Sequence, residues 1–254
     1  MAVVFSLRAP SICSNPRLSL CQNLYLNSNL LKMAKIGGVS STATPNTDRK
    51  LPILLFDMMD TVVRDPFYHD VPAFFGMTLK ELMECKHPTA WMEFEKGIID
   101  ETELASKFFK DGRPFDLEGL KSCMRSGYSY IEGTEELLLA LKQNNYEMHA
   151  FTNYPIWYQL IEDKLKLSKY LSWTFCSCTT GKRKPDPEFF MEVLGHLGVD
   201  PSNCIFVDDR IKNVEAAIEF GIRGIHFKNS NALREELCLM GIDITANGDH
   251  HKLI

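Results

Sequence analysis

The 254-residue sequence has no run of about 18 consecutive apolar residues, which excludes a helical membrane span. It has no positive excess either. Its 28 Lys and Arg stand against 33 Asp and Glu, a formal net charge of −5, which argues against nucleic acid as a partner. None of its eight cysteines forms a CxxC pair, and no dense spacing outlines a disulfide framework, so a reduced compartment is the simpler expectation. The compositional bias of disordered or collagenous chains is missing too: hydrophobic residues make up 45% and charged residues 24%. The partner left to expect is a small molecule; the oligomeric state is not readable.

Acidic residues are absent from one stretch. Residues 1–47 hold no Asp or Glu, four basic residues (Arg8, Arg17, Lys32 and Lys35) and seven serines between Ser6 and Ser41. An acid-poor, Ser-rich, basic segment has the composition of an organelle transit peptide. Its Ser, Asn and Leu character favours a plastid, so the expected location is the chloroplast stroma. Removal near residue 47 takes away four positive charges and changes the net charge from −5 to −9.

Beyond it, short apolar runs alternate with helical patterns. Pro52–Phe56, Glu147–Phe151, Trp173–Cys176, Cys204–Val207 and Arg223–Phe227 read as buried strands. Thr134–Asn144, Ile156–Leu167, Pro187–Leu197 and Val214–Phe220 read as helices, the third opening on a proline and closing before Gly198. Strands separated by helices give an α/β fold, a Rossmann-like parallel sheet covered on both faces. Residues 66–131 break the alternation. They are rich in Phe, Met, Leu, Glu and Lys, and far longer than the dozen or so residues a crossover needs. This insert is expected to be a helical cap over the C-terminal edge of the sheet. The core is then 48–65 and 132–246, with a flexible tail over 247–254.

The chemistry-bearing residues follow the strands. Asp57 follows the first, Thr152 and Asn153 the second, Asp208 and Asp209 the fourth, and Lys184 lies in the loop GKRKPDP after the third. In an open parallel sheet such ends converge on one crevice. Carboxylates there can bind a hard cation such as Mg²⁺, a lysine neutralises charge, and a threonine hydroxyl holds a phosphate oxygen. That equipment suits phosphoryl transfer to an aspartate followed by hydrolysis.

The order FDMMDT, FTN, GKRKPDP, FVDDR is similar to the four motifs of the haloacid dehalogenase-like hydrolases, over Leu51 to about Asn229. The long insert resembles that family's C1-type cap. The resemblance implies an aspartyl-phosphate mechanism with Asp57 as nucleophile. Thr61, Thr152 and Asn153 then face the substrate, and Lys184 holds both nucleophile and phosphate. Asp57, Asp208, Asp209 and the backbone carbonyl of Met59 are the implied Mg²⁺ ligands. Two longer phrases, FDMMDTVVRDPFYHDVP and HAFTNYPIWY, resemble plant plastid members that act on flavin mononucleotide (FMN), which implies hydrolysis of FMN to riboflavin and phosphate. The alternatives are a phosphatase for another metabolite, a nucleotide or sugar phosphate, and a non-catalytic flavin- or phosphate-binding protein.

One position departs from the pattern. The family's phosphatases usually carry a second Asp two residues after the nucleophile as general acid and base; here it is Met59, whose thioether transfers no proton at neutral pH. Either the neighbouring Asp60 takes over, water protonates the leaving group, or activity is lost. The retained Asp208–Asp209 pair favours phosphate chemistry over metal-free dehalogenation. Of the aromatics Phe67, Tyr68, Phe74, Phe75, Trp91, Tyr154, Trp157 and Tyr158, most are expected to pack in the core and some to form a flat pocket for a planar ring.

Overall fold

The structure is a computed structural model that describes residues 51–245. The expected transit peptide and the tail over 247–254 lie outside the described residues. Five strands, β1 (Ile53–Phe56), β2 (Glu147–Thr152), β3 (Ser172–Cys176), β4 (Cys204–Asp208) and β5 (Arg223–His226), form one parallel sheet in the order β3-β2-β1-β4-β5. All five expected strands are present. β2 and β4 each run one residue further than expected, so that Thr152 and Asp208 are themselves ladder residues, opposite Cys176 and His226.

β1 is central and buried over its whole length, because it pairs on both edges and is covered on both faces. Alternation divides its side chains. Ile53 and Leu55 join Phe151, Phe175, Phe189, Phe190 and Phe206 on one face. Leu54 and Phe56 join Met148, Ala150, Ile205 and Val207 on the other.

The insert is helical as expected. After a 3-10 turn at Pro66–Tyr68 come α1 (Val71–Phe74), α2 (Leu79–Cys85), α3 (Ala90–Glu95), α4 (Glu101–Lys107) and α5 (Leu117–Gly127). Capping boxes fix two starts: Thr78 with Glu81 for α2, and Asp100 with Glu103 for α4. Helices this short bury little alone. Their apolar residues Leu82, Phe94, Leu104, Leu120 and Met124 therefore join the Leu54 face of the sheet in one continuous cluster. The insert thus shares its core with the sheet.

The remaining helices are α6 (Thr134–Gln143), α7 (Tyr158–Leu165), α8 (Ser177–Thr180), α9 (Pro187–Leu197), α10 (Ile211–Glu219) and α11 (Ser230–Leu239). The single turn α8 and the last helix α11 were not expected from the sequence. α8 matters because the insert docks on it. Gly97, at φ +65°, lies so close that an added Cβ would sit 2.4 Å from the carbonyl oxygen of Cys178. The Ser177 hydroxyl of α8 donates to the backbone carbonyl of Glu95 at 2.5 Å.

Candidate active site

Asp57 is the first residue past β1, and its N–H still donates to Val207 of β4 at 2.9 Å. The chain then turns. The N–H groups of Val62 and Val63 both donate to the carbonyl of Met58, at 3.0 and 2.8 Å. Asp60 takes the left-handed backbone conformation, φ 55°, that the turn requires and that Asp tolerates better than most residues. Its Oδ1 accepts the N–H of Asp65 at 3.1 Å.

Lys184 is the centre of the site. It is 1% exposed, and its Nζ donates to Asp57 Oδ1 at 2.8 Å, Asp208 Oδ2 at 2.6 Å and the Phe151 carbonyl at 2.5 Å. Asn153 holds its backbone from both sides, accepting its N–H at 2.7 Å and donating to its carbonyl at 2.8 Å. Asp208 is fully buried and also accepts both Asn213 Nδ2, at 3.0 Å to each oxygen, and the N–H of Arg210 at 2.8 Å. Buried charges persist only when paired in this way.

Three carboxylates around one ammonium leave excess negative charge. Burial pushes the Asp57 carboxyl up to about 7 against the pull of Lys184, with Asp208 and Asp209 adding to the rise. Burial and Asp208 push Asp209 up to about 6. Burial also works against the Lys184 charge, but Asp208 and Asp57 outweigh it and hold its pKa above the usual lysine value. Asp57, Asp208 and Asp209 place carboxylate oxygens within 4.8 Å of one another. This hard-oxygen set with unbalanced charge fits a divalent cation such as Mg²⁺.

A cavity of about 40 Å³ opens on these groups. Of the expected site residues, Asp57, Met59, Asp60, Asn153, Lys184 and Asp209 line it. Thr61, Thr152 and Asp208 are not among its lining residues. The Thr61 hydroxyl ties two loops together, accepting the N–H of Asp209 at 3.1 Å and lying 3.5 Å from Asp57 Oδ2. Thr152 is fully buried at the end of β2, its hydroxyl without a hydrogen-bond partner.

The sequence reading missed Asp65, Glu95, Arg183, Arg210 and Asn213, which complete the lining. Arg210 is the last residue of the FVDDR motif, Asn213 stands three residues beyond it and Arg183 lies within GKRKPDP, so their place was legible. Nothing local marks Glu95, which arrives from α3 and pairs with Arg183 at 3.2 Å, 88 residues along the chain. A wider cavity of about 410 Å³ shares Asn153, Lys184, Asp209 and Arg210 with the first.

The aromatics are largely core, as most were expected to be, and none is among the residues lining the small cavity. Phe67, Tyr154 and Trp157 are core residues because their rings bury more area inside than a shallow site could cover. Trp157 packs edge-on against Trp91 and Phe94, and its indole N–H donates to Glu101 at 2.6 Å. Phe74 and Phe75 pack within the insert, and Tyr158 lies against Trp173. Tyr68 is partly exposed and hydrogen-bonded to Arg210.

A family model for haloacid dehalogenase-like hydrolases matches residues 53–221. The chain belongs to the haloacid dehalogenase-like hydrolases. It is 66% identical over 208 residues to flavin mononucleotide hydrolase 1 of Arabidopsis thaliana, described as chloroplastic, covering 82% of this chain and 85% of that one. It is 29% identical over 172 residues to a sesquiterpene phosphatase of Aspergillus oryzae, covering 63% of this chain and 84% of that one. Its fold matches that of a haloacid dehalogenase family enzyme from Bacteroides thetaiotaomicron solved with magnesium and inorganic phosphate. The TM-score is 0.59 at 21% identity, over 70% of this chain and 95% of that one.

Proposed function

We propose that the chain is a Mg²⁺-dependent phosphatase that hydrolyses FMN to riboflavin and phosphate in the chloroplast stroma. The observation that carries this is the buried Lys184 ammonium shared between Asp57 and Asp208, with Asp209 beside them at the floor of a cavity. The substrate and location rest on the 66% identity to the Arabidopsis protein and on the acid-free segment 1–47. Residues 66–131 act as the cap that closes a core of 48–65 and 132–246 and restricts access to small substrates.

Asp57 attacks the phosphorus atom and becomes an acyl phosphate as the bond to the alcohol oxygen breaks; water then cleaves the acyl phosphate. Lys184 restrains Asp57 and offsets charge on the phosphoryl group. Asn153 keeps Lys184 in register, and Asn213 with the Arg210 N–H keeps Asp208 in place. Asp57, Asp208, Asp209 and the Met59 carbonyl would hold the Mg²⁺, which supplies charge neutralisation when bound. Met59 carries no proton to transfer, and beside the metal-binding set the carboxyls of the cavity are Asp60, Asp65 and Glu95.

The test is riboflavin and phosphate release from FMN by the full chain, with Mg²⁺ and with excess chelator. Release should require Mg²⁺, and Asp57→Asn should lower it by on the order of 10⁴-fold or more with an unchanged circular dichroism spectrum. No release from FMN, or an Asp57→Asn variant within tenfold of wild type, would overturn the reading.

A further inference from the structure

Besides Asp57 and Asp209, three carboxyl groups line the cavity: Asp60, Asp65 and Glu95. Glu95 accepts from Arg183 at 3.2 Å and from the indole of Trp91, so its oxygens are anchored by donors. Asp60 is half-buried, and its Oδ1 is fixed by the N–H of Asp65 as part of the turn after β1. Asp65 is buried, caps the 3-10 turn at Pro66–Tyr68, and accepts the N–H of Phe67 on Oδ1 at 2.9 Å. No hydrogen bond to its Oδ2 is made among the described residues. In Asp60 and Asp65 alike one oxygen is held by a backbone N–H and the other is left for a proton, so it is burial that separates the two. Burial disfavours the charged form of a carboxyl, and of Asp60 and Asp65 it is Asp65 that is buried.

We infer that Asp65 is the acid–base residue of the reaction, an inference that rests on the phosphatase reading above. Its carboxyl gives a proton to the leaving alcohol oxygen as the P–O bond breaks and Asp57 takes the phosphoryl group. The resulting Asp65 carboxylate then takes a proton from the water that attacks phosphorus. The acyl-phosphate bond breaks, phosphate leaves, and Asp57 carboxylate and protonated Asp65 are restored. The charged groups facing Asp65 are Asp60, Arg64, Glu95 and Arg210, and the phenols of Tyr128 and Tyr154 lie near it as well. Burial, with Asp60 and Glu95 adding and Arg210 opposing, pushes the Asp65 carboxyl up to about 7, which suits both roles near neutral pH.

The test compares FMN with p-nitrophenyl phosphate, whose leaving group needs no proton. Asp65→Asn keeps the cap and removes the titrating group. It should lower FMN turnover by on the order of 10²-fold or more. On the aryl ester it should give a burst of one nitrophenol per enzyme at close to the wild-type rate, followed by slow steady release, because only the water step still lacks its base. Asp65→Ser, which retains capping ability, should give the same burst and guards against misfolding of the first variant. Asp60→Asn and Glu95→Gln should show no burst. Equal losses on both esters without a burst, or a burst in Asp60→Asn or Glu95→Gln instead, would overturn the assignment. A wild type that splits the aryl ester but not FMN overturns the FMN reading alone, since the burst is read without FMN. A wild type that splits neither overturns both.

Discussion

At the sheet edge, Lys184 has no exposed side-chain surface, and its partners Asp57 and Asp208 have 10% and none. In the insert, the ion pairs Lys107–Glu93 and Lys121–Glu101 keep between a fifth and two-fifths of each side chain in water, and Lys80–Glu84 is wholly at the surface. The same residue types therefore do different work. Water screens the insert's charges, so those pairs add little stability and can vary. The edge charges are desolvated, so each depends on the other and on whatever cation joins them. The insert instead draws its stability from apolar contact with the Leu54 face of the sheet.

The sharpest way to break this contrast is Lys184→Met. Removing one partner leaves Asp57 and Asp208 buried without a counter-charge, and the expected loss is about 3–5 kcal/mol at neutral pH in urea unfolding. The loss should shrink at pH 5, where the Asp57 carboxyl, raised to about 7 by burial, can protonate. A loss below about 1 kcal/mol would mean the edge charges are screened like those of the insert.

Trp157→Phe probes the seam between the two regions. It removes the bond from the indole N–H to the Glu101 carboxylate, and about 1.5–3 kcal/mol of stability should go with it. KM for FMN and for a compact phosphate ester should stay unchanged, because the ring is 1% exposed and outside the cavity. A selective rise in KM for FMN would place Trp157 at the substrate after all.

The smallest effect is in pH. The Asp57 and Asp209 carboxyls are raised from 3.8 to about 7 and about 6 in the folded state. Between about pH 4 and pH 7 the folded chain thus binds more protons than the unfolded one, and stability falls as pH rises through that window. Mg²⁺ relieves the same repulsion, so it should stabilise more at pH 7.5 than at pH 5. The expected difference is on the order of 1 kcal/mol, or about 3 °C in Tm by calorimetry. Equal shifts at both pH values would separate the metal from these carboxyls.

Much of the edge was legible in the sequence. The five apolar runs became the five strands, and Asp57, Asn153, Lys184, Asp208 and Asp209 stand where strand ends were expected to put them. α8 and α11 were missed. α8 is a single turn, too short to show helical periodicity, and α11 follows the last motif. The resemblance puts Thr61 at the substrate from its place closing FDMMDT. Only the structure shows its hydroxyl engaged with the loop after β4. Which aromatics are core was not legible, because a Trp suits a binding pocket or a core equally well by composition.

The sequence by itself determined the parallel sheet, the helical insert and the list of groups able to do phosphate chemistry. Short apolar runs ending in polar residues are local signals, and local signals survive in one dimension. The tertiary structure decided the partners. Lys184 meets Asp57 across 127 residues, and Arg183 meets Glu95 across 88. Asp65 becomes a buried carboxyl only because the insert, Glu95 and Arg210 close around it. Burial and charge pairing depend on what the rest of the chain brings near, and the residues on either side of Asp65 do not encode that.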